Sequence, residues 1–190
     1  MKKVVVIDNY DSFTYNLVQI IEKIIGHEVT VIKNDEFIVD QIEAFDYIII
    51  SPGPGLPEAS GYLLELIQHY YKTKKILGIC LGLQAIAKVL GGKLKQLNQV
   101  YHGIETKVFY TENNNPIFNE IEDGFSAGRY HSWVVDPSYL PSELIQDAID
   151  DDNEIMSLRH RSYPVFGVQF HPESIMTPVG EKILTNFLNL

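Results

Sequence analysis

In the stretch Lys75-Ile76-Leu77-Gly78-Ile79-Cys80-Leu81-Gly82-Leu83-Gln84, an apolar run enters Gly-x-Cys-x-Gly and then a helical pattern. This spacing predicts a thiol version of the nucleophile elbow, in which a sharp strand-to-helix turn lifts the central side chain out of the sheet edge. Glycine on either side lets the backbone turn without a steric conflict. Cys80 then sits at a helix N-terminus, where unpaired N–H groups and the helix dipole favour thiolate over thiol. The N–H of Leu81 is placed to meet an oxyanion. Read in isolation, the same cysteine is equally a small buried apolar residue.

A second pattern, Val168-Gln169-Phe170-His171-Pro172-Glu173, offers a base and a carboxylate to orient it. If the segment is extended, residues two apart share a face, and His171 and Glu173 project together. A surface ion pair is the plain alternative. A zinc deaminase would need a downstream Pro-Cys-x-x-Cys, and the chain has no cysteine after Cys80. The third pattern, Ser51-Pro52-Gly53-Pro54-Gly55, follows an apolar run and lacks the Gly-Lys-Ser/Thr ending of a phosphate loop. Pro54 has no N–H, so Gly53 and Gly55 are the loop's available donors. Nucleophile, base, orienting carboxylate and oxyanion donors together make the kit for acyl transfer through a thioester.

These residues need a scaffold that delivers them to one edge. Val4 to Ile7, Val29 to Ile32, Tyr47 to Ile50 and Ile76 to Ile79 are short β-branched or apolar runs, and they alternate with helical spacing over Tyr15 to Ile25, Tyr62 to Tyr71 and Leu83 to Leu90. Gly26 is expected as a left-handed cap. Strands apolar on both faces that alternate with helices predict an α/β fold, an open and mostly parallel flavodoxin-like sheet flanked by helices. Beyond Gly91-Gly92, strands over Thr106 to Tyr110, Ser132 to Val135, Glu154 to Arg159 and Val165 to Phe170 predict a smaller mixed or antiparallel extension. A helix over Glu181 to Leu190 closes the pattern. The acidic run Asp147 to Glu154 is expected as a solvated turn. In a parallel sheet the loops that follow the strands lie at one edge, which unites the first and third patterns.

Composition narrows the partners. The 190 residues carry 15 Lys+Arg against 25 Asp+Glu, a formal net charge of -10, which argues against a nucleic-acid backbone as ligand. A globule of this length buries roughly 70% of the surface of its unfolded chain, so a single domain over residues 1–190 has a real core. The single cysteine leaves no disulfide within the chain and no site of two thiolates, and no metal is expected. The apolar run before Asp8, Val4 to Ile7, is only four residues long, too short for a signal core or a membrane span, so a cytoplasmic protein with no membrane contact is expected.

The segments Asp8 to Asn16, Ser51 to Gly55, Gly78 to Gly82, Arg129-Tyr130-His131-Ser132 and Gly167 to Ser174 resemble, in type and order, those of a class I (triad-type) glutamine amidotransferase. The likeness is closest to the small subunits of anthranilate synthase and of aminodeoxychorismate (para-aminobenzoate) synthase. It implies hydrolysis of L-glutamine to glutamate and ammonia, without a cofactor, for a larger chorismate-binding synthase subunit. Carried over by motif, Cys80 is the nucleophile, His171 the proton carrier and Glu173 its orienter. Gly53 and Leu81 become oxyanion donors, and Pro52, Gly53, Gly55, Gln84, Ser132 and Trp133 bind glutamine. Asn34-Asp35 and Glu154 to Arg161 tip the resemblance toward the aminodeoxychorismate branch.

Three positions depart from the family pattern: Leu83 for a common His, Trp133 for Leu, and Ile104 where Lys is frequent. Leu83 and Ile104 bear on the fit of the partner. Of the remaining histidines, His131 is expected in packing, and His27, His69, His102 and His160 at the surface or an interface. Two other readings stay open on sequence grounds. One is a stand-alone cysteine hydrolase such as a γ-glutamyl hydrolase or peptidase, and the other is a catalytically silent regulatory subunit.

Overall fold

The structure is a computed structural model that describes residues 2–112 and 114–190. In chain order the first half comprises β1 (Val4–Asp8), α1 (Thr14–Ile25), β2 (Thr30–Lys33), β3 (Tyr47–Ile50), α2 (Leu63–Tyr70), β4 (Lys75–Ile79) and α3 (Leu81–Val89). The second half adds β5 (Leu94–Gln96), β6 (Ile104–Tyr110), β7 (Phe125–Arg129), β8 (Trp133–Val135), β9 (Leu144–Ile149), β10 (Ile155–His160), β11 (Val165–Val168) and α4 (Gly180–Leu188). Gly26 closes α1 at φ 78°, the left-handed cap its position predicts.

Nine strands form one sheet in the order β2-β1-β3-β4-β11-β10-β9-β6-β7, and β5 pairs with β8 separately. From β2 to β11 every neighbouring pair is parallel; from β11 through β10, β9 and β6 to β7 every pair is antiparallel. The antiparallel part is thus a continuation of the parallel sheet.

Alternation along the strands divides the interior in two. Val4, Val6, Ile49, Leu77 and Val168 pack with Leu17 and Ile21 of α1 and Ile183, Leu184 and Phe187 of α4. Val5, Ile7, Ile48, Ile50 and Ile76 face the opposite layer with Leu66 and Ile67 of α2 and Leu83 and Ile86 of α3. Both faces of the central strands are therefore dry, which is why their sequences read as unbroken apolar runs.

Two expectations are corrected. Only the middle of the acidic run is a solvated turn: Asp147 belongs to β9 and is fully buried, paired with Arg159, and Asp150 is buried against Arg129. Arginines distant in sequence neutralise both carboxylates, which a run of like charges does not reveal. His160 is likewise interior. Its Nδ1 accepts the backbone N–H groups of Ser162 and Tyr163 at 2.9 and 3.0 Å, and burial holds its basicity down. Among the described residues no helix is long and apolar enough to cross a membrane.

Candidate active site

The ends of β1, β3, β4 and β11 meet at one edge of the sheet, and the three patterns converge there. Cys80 follows β4 directly and adopts φ 52°, ψ -100°, a left-handed backbone that a side chain rarely takes. Close packing holds it in place. A Cβ on Gly78 would collide with the backbone of Gly82, and one on Gly82 would lie 2.9 Å from Ile50. The Cys80 N–H donates to the Val168 carbonyl at 2.8 Å, while its own carbonyl accepts from Gln84 N as α3 begins. Cys80 is 5% exposed at the mouth of that helix.

His171 reaches the same edge from the end of β11, the strand paired with β4 in the register Gly78↔Gly167 and Ile79↔Val168. The segment is a turn rather than an extended strand: Ser174 N bonds to the His171 carbonyl at 3.2 Å, and β11 ends at Val168. This turn, and not alternation along a strand, brings His171 Nδ1 within 2.7 Å of Glu173 Oε1. His171 N donates to the Gly128 carbonyl at 2.9 Å, and Thr177 Oγ1 donates to the His171 carbonyl at 2.7 Å. Burial opposes the imidazolium, but the Cys80 sulfur and the Glu173 carboxylate outweigh it and raise His171 to about 10. Nε2, the nitrogen not held by Glu173, has no hydrogen-bond partner among the described residues.

The loop after β3 is braced from behind. Asn9 donates through its backbone to Ser51 Oγ at 2.9 Å and through Nδ2 to the Ser51 carbonyl at 2.8 Å, and Asn34 Nδ2 donates to Asn9 Oδ1 at 2.9 Å. Gly53, Pro54 and Gly55 then line a cavity of about 140 Å³ with Cys80, Leu81, Gln84, Tyr130, His131, Ser132 and Trp133. That is below the roughly 300–1,000 Å³ of drug-sized sites, so it suits a ligand of amino-acid size. Among the described residues no group of three or more His, Cys, Asp and Glu is arranged to hold a metal ion.

The structure thus gathers Cys80, Leu81, Gly53, Gly55, Gln84, Ser132 and Trp133 around one cavity, with His171 beside the thiol and Glu173 on the other nitrogen of its ring. Pro52 is buried behind the loop and does not line it. Gln84 is buried, although its helical position taken alone suggests a solvent-facing residue; its Nε2 donates to the Trp133 carbonyl at 2.8 Å. Leu83 is fully buried, in van der Waals reach of Gly167 inside the α2–α3 layer, so its departure from the family pattern concerns the core and not a partner. Ile104 is exposed at the start of β6.

Sequence reasoning assigned no part to three neighbours of the thiol and imidazole. Gln169 Nε2 approaches Cys80 Sγ at 3.4 Å. Tyr130 and Phe13 pack on the His171 ring with centroids 4.8 and 6.2 Å away. Both aromatics lie inside the quoted motifs, but nothing in their spacing shows that loops more than a hundred residues apart meet.

The sequence is 44% identical, over its full length, to the bifunctional protein TrpGD of Thermotoga maritima, of which it spans 32%. It is 47% identical to anthranilate synthase component 2 of Saccharolobus solfataricus, with 100% of this chain and 99% of that protein covered. Against the aminodeoxychorismate/anthranilate synthase component 2 of Bacillus subtilis the identity is 43%, covering 97% and 95%. The fold superposes on a solved glutamine amidotransferase from Thermotoga maritima with a TM-score of 0.76 at 20% identity, covering 90% of this chain and 76% of that one. Residues 5–190 match the family described as glutamine amidotransferase class-I, and the chain belongs to that family, as a subunit of the anthranilate/aminodeoxychorismate synthase type.

Proposed function

We propose that this chain hydrolyses L-glutamine at Cys80 and delivers the ammonia to a chorismate-aminating synthase subunit. The observation that carries the reading is the juxtaposition of a strained, buried thiol, a Glu173-held imidazole and a cavity of amino-acid size. Cys80 sulfur attacks the side-chain amide carbon, and the tetrahedral oxyanion accepts hydrogen bonds from the N–H groups of Gly53 and Leu81. His171 Nε2 gives its proton to the amide nitrogen as the C–N bond breaks, and ammonia leaves a thioester. The neutral imidazole then takes a proton from water. The hydroxide adds to the thioester, and collapse of the second oxyanion expels the thiolate and yields glutamate.

Glu173 fixes the ring with Nδ1 occupied, so that Nε2 is the nitrogen that works. Gln84 spends both hydrogens of its amide nitrogen on protein acceptors, which leaves its oxygen to accept from the α-ammonium of glutamine. Ser132 and Trp133 complete the wall that receives the α-carboxylate end.

The test is Cys80→Ala in the complex with the synthase subunit. Glutamine-dependent amination should vanish while amination from added ammonium salt persists; loss of both would make Cys80 structural. A stand-alone γ-glutamyl hydrolase would instead be active without any partner. The glutamine cavity is common to both branches, and Asn34-Asp35 with residues 154–161 favour aminodeoxychorismate. The product formed with the co-purified native partner identifies the branch.

A further inference from the structure

Behind Cys80 buried polar side chains and the Trp133 carbonyl form one hydrogen-bonded network, and two groups of fixed polarity, the Arg129 guanidinium and that carbonyl, set its orientation. The Arg129 guanidinium only donates, and its Nε donates to Nε2 of His131 at 3.0 Å. His131 therefore carries its proton on Nδ1, which donates to the Trp133 carbonyl at 3.1 Å. Burial first, and the charge of Arg129 second, push His131 down to about 3, so the ring stays neutral and its tautomer is kept through the working pH range. That carbonyl only accepts, and it also receives Gln84 Nε2 at 2.8 Å.

The orientation of Gln84 is thereby settled, and the second hydrogen of the same nitrogen reaches Gln169 Oε1 at 3.2 Å. With its oxygen engaged, the fully buried Gln169 turns Nε2 to Cys80 Sγ at 3.4 Å. Flipping this amide would set two donors against each other at Gln84 and two acceptors at the thiolate. Arg129 is itself anchored by Asp150 and stacked 3.6 Å from the centroid of Tyr101, so the far end of the chain is rigid.

We infer that Gln169 is a fixed N–H donor to the Cys80 thiolate, and that Arg129, His131 and Gln84 are positioning residues that act through it. The inference rests on the reading of Cys80 as nucleophile. A hydrogen bond to a buried anion favours the anion over the neutral thiol, so the donor acts together with the facing His171 imidazole to favour the reactive thiolate. Nothing in the step consumes Gln169: the N–H remains on the amide while the sulfur passes from thiolate to thioester and back.

The measurement is the rate of alkylation of the intact chain by iodoacetamide from pH 5 to 10, read by mass spectrometry, with the single cysteine giving a single label. Gln169→Glu keeps the shape and the acceptor for Gln84 but turns a carboxylate oxygen to the sulfur, and its profile should move to higher pH by about one unit or more. Gln169→Met removes the donor without adding charge. It should move the profile in the same direction by less, with the plateau rate at high pH preserved, and it carries the test if the Glu variant does not fold. Native midpoints in folded variants would overturn the inference. A native chain whose Cys80 resists alkylation across the whole range would overturn the nucleophile reading instead.

Discussion

At Gly53 the loop passes so close to its neighbours that a single methyl group has no room. A Cβ there would lie 2.5 Å from Asn9 Cβ, 2.8 Å from the Asn9 carbonyl and 2.8 Å from Leu81 Cδ2. Gly53→Ala must push the loop off both Asn9 and Leu81, and with it the proposed oxyanion donor. Glutamine hydrolysis should fall about 100- to 1,000-fold, the usual cost of one oxyanion donor, while ammonia-dependent amination by the complex is unchanged. Parallel assays with the two nitrogen sources check this. The glycine, the cysteine and the histidine–glutamate pair each stand out in the sequence as a short local motif, although the pair meets through a turn and not through the strand alternation its spacing suggests. Gln169 does not, since its importance comes from a sulfur 89 residues away.

Elements explain which parts of the fold a pattern reveals. β1, β3 and β4 are buried on both faces and read plainly as apolar runs. β7, Phe-Ser-Ala-Gly-Arg, has little apolar signal, and β5 is three residues long. β9 carries Asp147 into the interior, where Arg159 and the side-chain amide of Asn115 satisfy its carboxylate. The segment between β7 and β8, whose Arg129 to Ser132 motif the sequence does show, holds the neutral His131. In the unfolded chain this imidazole protonates near its ordinary 6.5, whereas the folded ring stays neutral until about 3. The unfolded state thus binds the extra proton, and stability falls as pH drops from 6.5 toward 3. Between pH 7 and 5 this group costs about 2 kcal/mol. Urea unfolding at the two pH values should show wild type losing about that much more than His131→Asn; equal losses would mean that the ring charges in the folded protein.

Over the whole molecule, the edge that holds the thiol also collects exposed apolar side chains. Tyr10 and Tyr15 follow β1, Ile175 follows the His171–Glu173 turn and is 96% exposed, and Val100 and Ile104 flank Gly103 beside the Tyr130 ring. This is the face from which ammonia would pass to the proposed synthase subunit. Ile175→Asp should weaken association with that subunit by about 10-fold or more while leaving the melting temperature of the isolated chain unchanged. Titration of one subunit against the other, with calorimetry of the variant alone, decides whether this edge is the docking face. The sheet order has a consequence in time as well as in space. Cys80 is made early, but the strand that accepts its N–H bond and the histidine that serves it arrive almost ninety residues later. A chain emerging from the ribosome therefore carries an unarmed thiol through nearly half of its synthesis, and the proposed nucleophile acquires its partners only when β11 slides in beside β4.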